Sequence, residues 1–218
     1  MQNWGMRKSG WIMKTVLLVL LERYADWEAA YVSTAIHMLG QGRFEIKTVS
    51  LSKDAVTSIG GIQTMPDYNT VETVPKDYEA LLLIGGMRWR EECTQRVIPL
   101  VEHCLQNGRV LGGICDAAAF LASVGVLNTV KHTGNSLSAM KEWKGTQYKG
   151  AANFQSKQAV YDKNIITANG SATLEFAREV LIALHVTEET LIEDWYVLHK
   201  LGYYNTSLRN RFVQMMEE

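Results

Sequence analysis

Residues 112–123 read GGICDAAAFLAS, one cysteine between two different local patterns. Upstream, Arg109-Val110-Leu111 favours a strand; downstream, the alanines after Cys115 favour a helix. The spacing is G-x-C-x-A, with Gly113 and Ala117 two positions either side of the sulfur. A nucleophile elbow needs small residues there, because strand and helix backbones pass close together. The helix that follows would aim free N–H groups and a positive dipole end at Cys115, which predicts a lowered thiol pKa. The plainer alternative is a buried structural thiol.

Outward from this junction, short apolar runs recur at Thr15–Leu21, Phe44–Leu51, Ala80–Ile84 and Val110–Ile114. Runs of that length, rich in Val, Ile and Leu, suit strands buried on both faces. Helical patterns lie between them: Trp27–Leu39, Glu91–Leu105 with Pro99 opening a new turn, and Ala117–Ser123 with Gly125 just beyond its end. Strands alternating with helices predict parallel βαβ units and a doubly wound α/β sheet. Gly60-Gly61 within Ser58–Met65 predicts a small hairpin, and Asp162-Lys163-Asn164 turns a second one across Lys157–Ala168. Ser171–His185 follows as a helix capped by Ser171. Thr187–Lys200 reads as another, acidic at its start and basic at its end.

The 218 residues are 47% hydrophobic, with three prolines and no linker, low-complexity tract or internal repeat, which points to one compact domain. The expected organisation is an N-terminal extension over 1–13, with Trp4 and Trp11, then an α/β domain over 14–186. A helical extension over 187–218 is expected to pack on the same domain. A net charge of −1 with dispersed Lys and Arg argues against nucleic acid or a membrane surface as partner. Cys93, Cys104 and Cys115 fit neither a disulfide framework nor a CxxC metal site, which suits a reducing, cytoplasmic compartment. Arg7, Lys8 and Lys14 ahead of Val16–Leu21 imitate a signal peptide. The apolar stretch is short and no small-residue cleavage site follows, so a buried strand is expected, with Met13 a second candidate start. No GxxxxGK[ST] loop or metal-ligand cluster occurs, so neither cofactor nor metal is expected.

In an open α/β sheet, ligands bind beyond the carboxyl ends of the parallel strands. Three stretches lie there: Tyr24–Glu28, Gly85–Trp89 and Gly113–Ala117. Glu28 opens the first helix, where the dipole favours a carboxylate whatever its role. Set beside Cys115, its pKa would rise, and its protonated form would donate to the sulfur. Asp26 is the expected helix cap. Gly85-Gly86 is either an ordinary turn or a close backbone approach, in which the N–H groups of Gly86 and Asp116 form an oxyanion hole. Arg88 is a candidate for attracting an anionic substrate, Trp89 for roofing the pocket and Trp27 for walling it. Solvated arginines and packing tryptophans are the plainer alternatives. His37 and His103 read as structural.

YADWE around Glu28, LLLIGG ending in Gly85-Gly86, GGICDAAAFLASVGVL around Cys115, KHTGN (Lys131–Asn135) and ITANGSATLEFA (Ile166–Ala177) occur in this order. Together they resemble the ThiJ/PfpI superfamily, the family of the parkinsonism-associated deglycase and of PfpI-type intracellular proteases, from about Lys14 to His185. The resemblance implies a flavodoxin-like sandwich of the class I glutamine amidotransferase-like kind, Cys115 as nucleophile, Glu28 as the family's glutamate, and a homodimer. PfpI-type proteases place a histidine directly after the cysteine; Asp116 stands there in this chain, which weakens a peptidase reading. Class I glutamine amidotransferases use a downstream His-x-Glu pair that His132, His185 and His199 do not supply, which excludes glutaminase chemistry. Where the deglycase has a histidine near its cysteine, the register gives Asn135, as a substrate-side residue. A shifted register brings His132 to the site, as the remaining candidate general base, against a histidine merely satisfied at a strand end.

The function expected from these residues is a cysteine-dependent hydrolase or glyoxalase/deglycase-like enzyme acting on a small carbonyl or amide substrate. Cys115 attacks, Glu28 handles the proton, and the Gly86 and Asp116 N–H groups hold the oxyanion. Two alternatives stand beside it: a non-catalytic stress protein using Cys115 as an oxidation sensor, and a PfpI-type protease or amidase.

Overall fold

β1 (Lys14–Val19) is apolar from Val16 onward because both of its sides are covered there: Val16 and Leu18 enter one core, Leu17 and Val19 the other. The structure, a computed structural model, describes residues 13–71 and 77–204. From β1 the chain runs through α1 (Asp26–Leu39), β2 (Phe44–Ser50), β3 (Val56–Thr57), β4 (Gln63–Thr64) and β5 (Tyr68–Asn69). It continues through β6 (Ala80–Leu83), a 3-10 helix (Glu92–Val97), α2 (Ile98–Gln106), β7 (Val110–Ile114), α3 (Asp116–Ser123) and α4 (Leu137–Lys141). β8 (Ala159–Asp162), β9 (Ile165–Ala168), α5 (Thr173–Ala183) and α6 (Glu189–Leu201) complete it.

The main sheet orders its strands β5-β2-β1-β6-β7-β9-β8, and only β8 is antiparallel to its neighbour. Helices α1 and α5 bury one face of it, with α6 packed on α5; α2 and α3 bury the other. This is the doubly wound, flavodoxin-like arrangement, with the strand order reversing between β1 and β6. Register sets the site. Val19 lies beside Leu83 and Leu83 beside Gly113, so β1, β6 and β7 end level with one another. Whatever follows those three strands meets at the same edge.

Both expected hairpins form, β3 with β4 and β8 with β9. The expected helix Glu91–Leu105 divides into the 3-10 segment and α2, with Pro99 in the first turn of α2, where its missing N–H costs no bond. Two expected caps are corrected. Ala25, not Asp26, precedes α1; the Asp26 Oδ2 instead accepts the Gly60 N–H at 2.8 Å, tying α1 to the β3–β4 turn. Ser171 does not cap α5: its hydroxyl donates to Asn169 Oδ1 at 2.7 Å, and the helix begins after Ala172. The α6 helix buries Ile192 and Trp195 in the core shared with α1 and α5. Residues 1–12, with the expected extension carrying Trp4 and Trp11, and residues 205–218 lie outside the described residues. Among the described residues no helix is long and apolar enough to cross a membrane.

Candidate active site

Cys115 sits between β7 and α3 at φ 60°, ψ −129°. A side chain in that conformation is strained, and such strain persists only where the surroundings over-determine it. Here they do. The Cys115 N–H donates to the Ala168 carbonyl at 3.0 Å, and its own carbonyl accepts the Ala118 N–H at 3.1 Å. Gly113 leaves room for the buried Leu121 of that helix: a Cβ there would stand 2.7 Å from Leu121 Cδ1. Ala117 is fully buried at the same crossing. The elbow expected from G-x-C-x-A is present.

Glu28 reaches the sulfur from the first turn of α1 and is itself fully buried. Its Oε2 accepts the Gly85 N–H at 2.8 Å. Its Oε1 finds no conventional hydrogen-bond donor among the described residues and faces the Cys115 thiol. Two glycines make room for the pair. A Cβ on Gly85 would lie 2.3 Å from Glu28 Oε2 and 2.6 Å from Cys115 Cβ; one on Gly170 would lie 2.9 Å from Sγ and 3.1 Å from Oε1. Burial, with the Asp116 charge adding to it, pushes the Glu28 carboxyl up to about 7.

The expected lowering of the thiol pKa is corrected. Burial, followed by repulsion from the Glu28 carboxylate, pushes Cys115 up to about 11, against the Asn135 amide and the Asp116 N–H, which favour the anion. The dipole of a short helix is the weaker influence. Asn135 is the polar residue at the sulfur: its Nδ2 donates to Sγ at 3.2 Å and its Oδ1 accepts the Gly170 N–H at 2.9 Å. Trp27 donates its indole N–H to the Gly170 carbonyl at 3.1 Å and walls an open cleft of about 1060 Å³ above the thiol. Phe154, Ser156 and Lys157 stand among the other residues of its wall.

The DJ-1/PfpI family profile matches residues 14–183, with the elbow, the glutamate and the glycine pair inside the match. The chain belongs to the DJ-1/PfpI family. It is 36% identical over 193 residues to the "Uncharacterized protease YdeA" of Bacillus subtilis, covering 88% of this chain and 94% of that one. The crystal structure of the thiJ/pfpI family protein from Bacillus anthracis superposes with a TM-score of 0.81 at 31% identity, over 93% of this chain and 98% of that one. A more distant relative, the "Deglycase PfpI" of Pyrococcus furiosus, is 24% identical over 135 residues, 59% of this chain and 80% of its own.

Within this DJ-1/PfpI site, several expected residues stand elsewhere. His132 is fully buried, its Nδ1 paired with the Val130 carbonyl at 2.8 Å and its Nε2 with the Tyr148 hydroxyl at 2.6 Å. Burial lowers its pKa, and both nitrogens are occupied, so it is a core histidine and no base for Cys115. Trp89 does not roof the cleft: it is 1% exposed, donates to the Ile84 carbonyl and packs on Phe120. Arg88 is paired with Glu91 at 2.6 Å and does not line the cleft. Arg90 is the arginine that reaches the elbow, bonding the Asp116 carboxylate at 3.1 Å while stacked 4.5 Å over Trp143. Gly86 presses on Arg23 and Tyr24, where a Cβ would stand 2.5 Å from the Arg23 carbonyl oxygen, and it does not line the cleft. Gly85 touches Cys115 and Glu28, but its N–H is committed to Glu28, so its part is to make room. Sequence reasoning missed Gly170 and Lys157. ITANGSATLEFA contained the first as part of a motif; nothing in the pattern around Lys157 marked it.

Proposed function

We propose that this DJ-1/PfpI protein is a cysteine-dependent enzyme acting on small carbonyl compounds in the glyoxalase or deglycase manner. The observation that carries the reading is the buried Glu28 Oε1, facing the Cys115 thiol without a conventional donor of its own. A carboxyl near pKa 7 is a base at neutral pH that can also return the proton it takes. As Sγ bonds to a carbonyl carbon, the thiol proton passes to Glu28 and the carbonyl π pair moves to oxygen. Glu28 then gives that proton to the oxygen, and a hemithioacetal results. With a 2-oxoaldehyde, the same carboxylate moves the C–H proton of the adduct to the adjacent carbon, the adduct's hydroxyl proton passes to the former ketone oxygen, and a 2-hydroxy thioester is left. Water hydrolyses it to a 2-hydroxy acid and the free thiol. The Asp116 N–H and the Asn135 amide are the donors beside the sulfur.

The protease names of relatives draw less support from this site, since none of the five histidines lines the cleft. Oxidation sensing draws less support as well, because the thiol is held in its neutral form. Turnover of methylglyoxal and glyoxal by wild type, Cys115→Ser and Glu28→Gln tests the reading. Each variant is expected to lose at least about a hundredfold in kcat/KM, the scale of a nucleophile or general base removed. Undiminished turnover in either variant overturns it.

A further inference from the structure

Three residues of the cleft wall are ionisable: Glu28, Cys115 and Lys157. Glu28 lies buried beneath the sulfur, and the neighbouring Asp116 carboxylate is turned onto Arg90. Lys157 is therefore the one basic residue of the cleft wall, and Glu28, buried beneath the sulfur, is its one carboxylate. Three bonds hold the segment that carries Lys157, two of them on its own backbone. The Thr133 hydroxyl donates to the Lys157 carbonyl at 2.8 Å, the Lys157 N–H donates to the Gln155 carbonyl at 2.9 Å, and the Gln155 N–H donates to the His132 carbonyl at 2.8 Å. The next residue, Gln158, is braced by the Asn169 amide from the turn after β9. The Lys157 side chain is exposed and forms no ion pair among the described residues.

We propose that the cleft selects carbonyl substrates bearing an anionic group, carboxylate or phosphate, and that Lys157 is the residue that binds it. The inference rests on Cys115 as the nucleophile of the function proposed above. Methylglyoxal, small and neutral, would leave most of the cleft empty and the ammonium without a counter-charge. A cation on the wall of a concave site acts on an approaching anion through field lines focused by the low-dielectric walls. A lysine does this as a point charge, without demanding one bidentate geometry, so carboxylate and phosphate are equally served.

Alkylation reads this at the sulfur itself, without any substrate. Peptide mapping of Cys115 after iodoacetate or iodoacetamide gives the rate for an anionic and a neutral electrophile of nearly equal size. Lys157→Glu is expected to lower the iodoacetate-to-iodoacetamide rate ratio about fivefold, and Lys157→Gln about twofold. Salt at about 0.5 M should collapse both differences. An unchanged ratio in Lys157→Glu, or a difference indifferent to salt, overturns the assignment. The ratio is measured without turnover, so its failure is distinct from that of the catalytic reading: turnover that survives Cys115→Ser removes the proposed chemistry and leaves the ratio standing. Should neither reagent reach Cys115, both fall.

Discussion

Glu28 uses its two oxygens differently, Oε2 on the Gly85 N–H and Oε1 on the Cys115 thiol. The carboxyl titrates near 4.5 in an open chain and near 7 in the fold, so ionising it works against folding. A folded-state pKa above the unfolded one means stability present in full below pH about 4.5 and lost as the pH rises through about 7. Between about pH 5 and pH 8 the loss amounts to about 2–3 kcal/mol. Glu28→Gln keeps an acceptor for Gly85 and cannot ionise. Urea unfolding at those two pH values should show wild type losing that much more than the variant; parallel losses would mean that Glu28 does not titrate as described. Cys115 and Glu28 were legible in the sequence because each lies in a short motif that follows a strand, and Asn135 because the KHTGN motif contains it. Which of Arg88, Trp89 and Arg90 faces the site was not. Three consecutive side chains after a strand point three ways, and packing alone sends Trp89 to the core and Arg90 to Asp116. His132 misled for a related reason: a motif places its backbone near the site and says nothing of its Tyr148 partner sixteen residues on.

The β8–β9 hairpin turns through Lys163 and Asn164, both left-handed at φ 51° and 61°. Two consecutive left-handed residues are what a two-residue turn needs to match the twist of its strands. Asparagine tolerates that region; a lysine there carries strain from its Cβ. Lys163→Asn is therefore expected to raise stability by about 0.5–1 kcal/mol, read as a higher urea midpoint at unchanged slope. A lower midpoint would show that the Lys163 contact with the Thr129 carbonyl outweighs the relief. Elements of this kind were legible because their signal is local: glycine or polar turn residues between two apolar runs. The long strands were legible for the opposite reason, since burial on both faces leaves no polar interruption. β5 and α4 were not, being two and five residues long, too short for any period to declare itself. Ser171 looked like a cap because its type is right, but Asn169 takes its hydroxyl first.

At the scale of the whole molecule, the sheet separates two cores, and the Cys115–Glu28 pair hangs on the edge where both end. The core beneath α1 and α5 continues into α6, beyond the family match at 183. Tyr31 of α1 meets Trp195 of α6 edge-on at 6.3 Å, and Trp195 is 3% exposed. The α6 helix thus packs on α5 and touches, through Tyr31, the same helix α1 whose first turn supplies Glu28. Ion pairs add to the seam: Lys200 reaches Glu175 at 2.7 Å and Arg178 reaches Glu193 at 2.7 Å. Both are partly exposed to solvent, so they orient the helix more than they hold it. The indole is the anchor. Trp195→Ala is expected to cost about 3–5 kcal/mol, the range for emptying a buried aromatic site. Because α6 shares its core with α1 and α5, the loss should appear as one cooperative urea transition at a lower midpoint, with Cys115 alkylation changing in step with unfolding. An early separate transition that leaves the Cys115 rate untouched would show that α6 is appended to the core and not part of it.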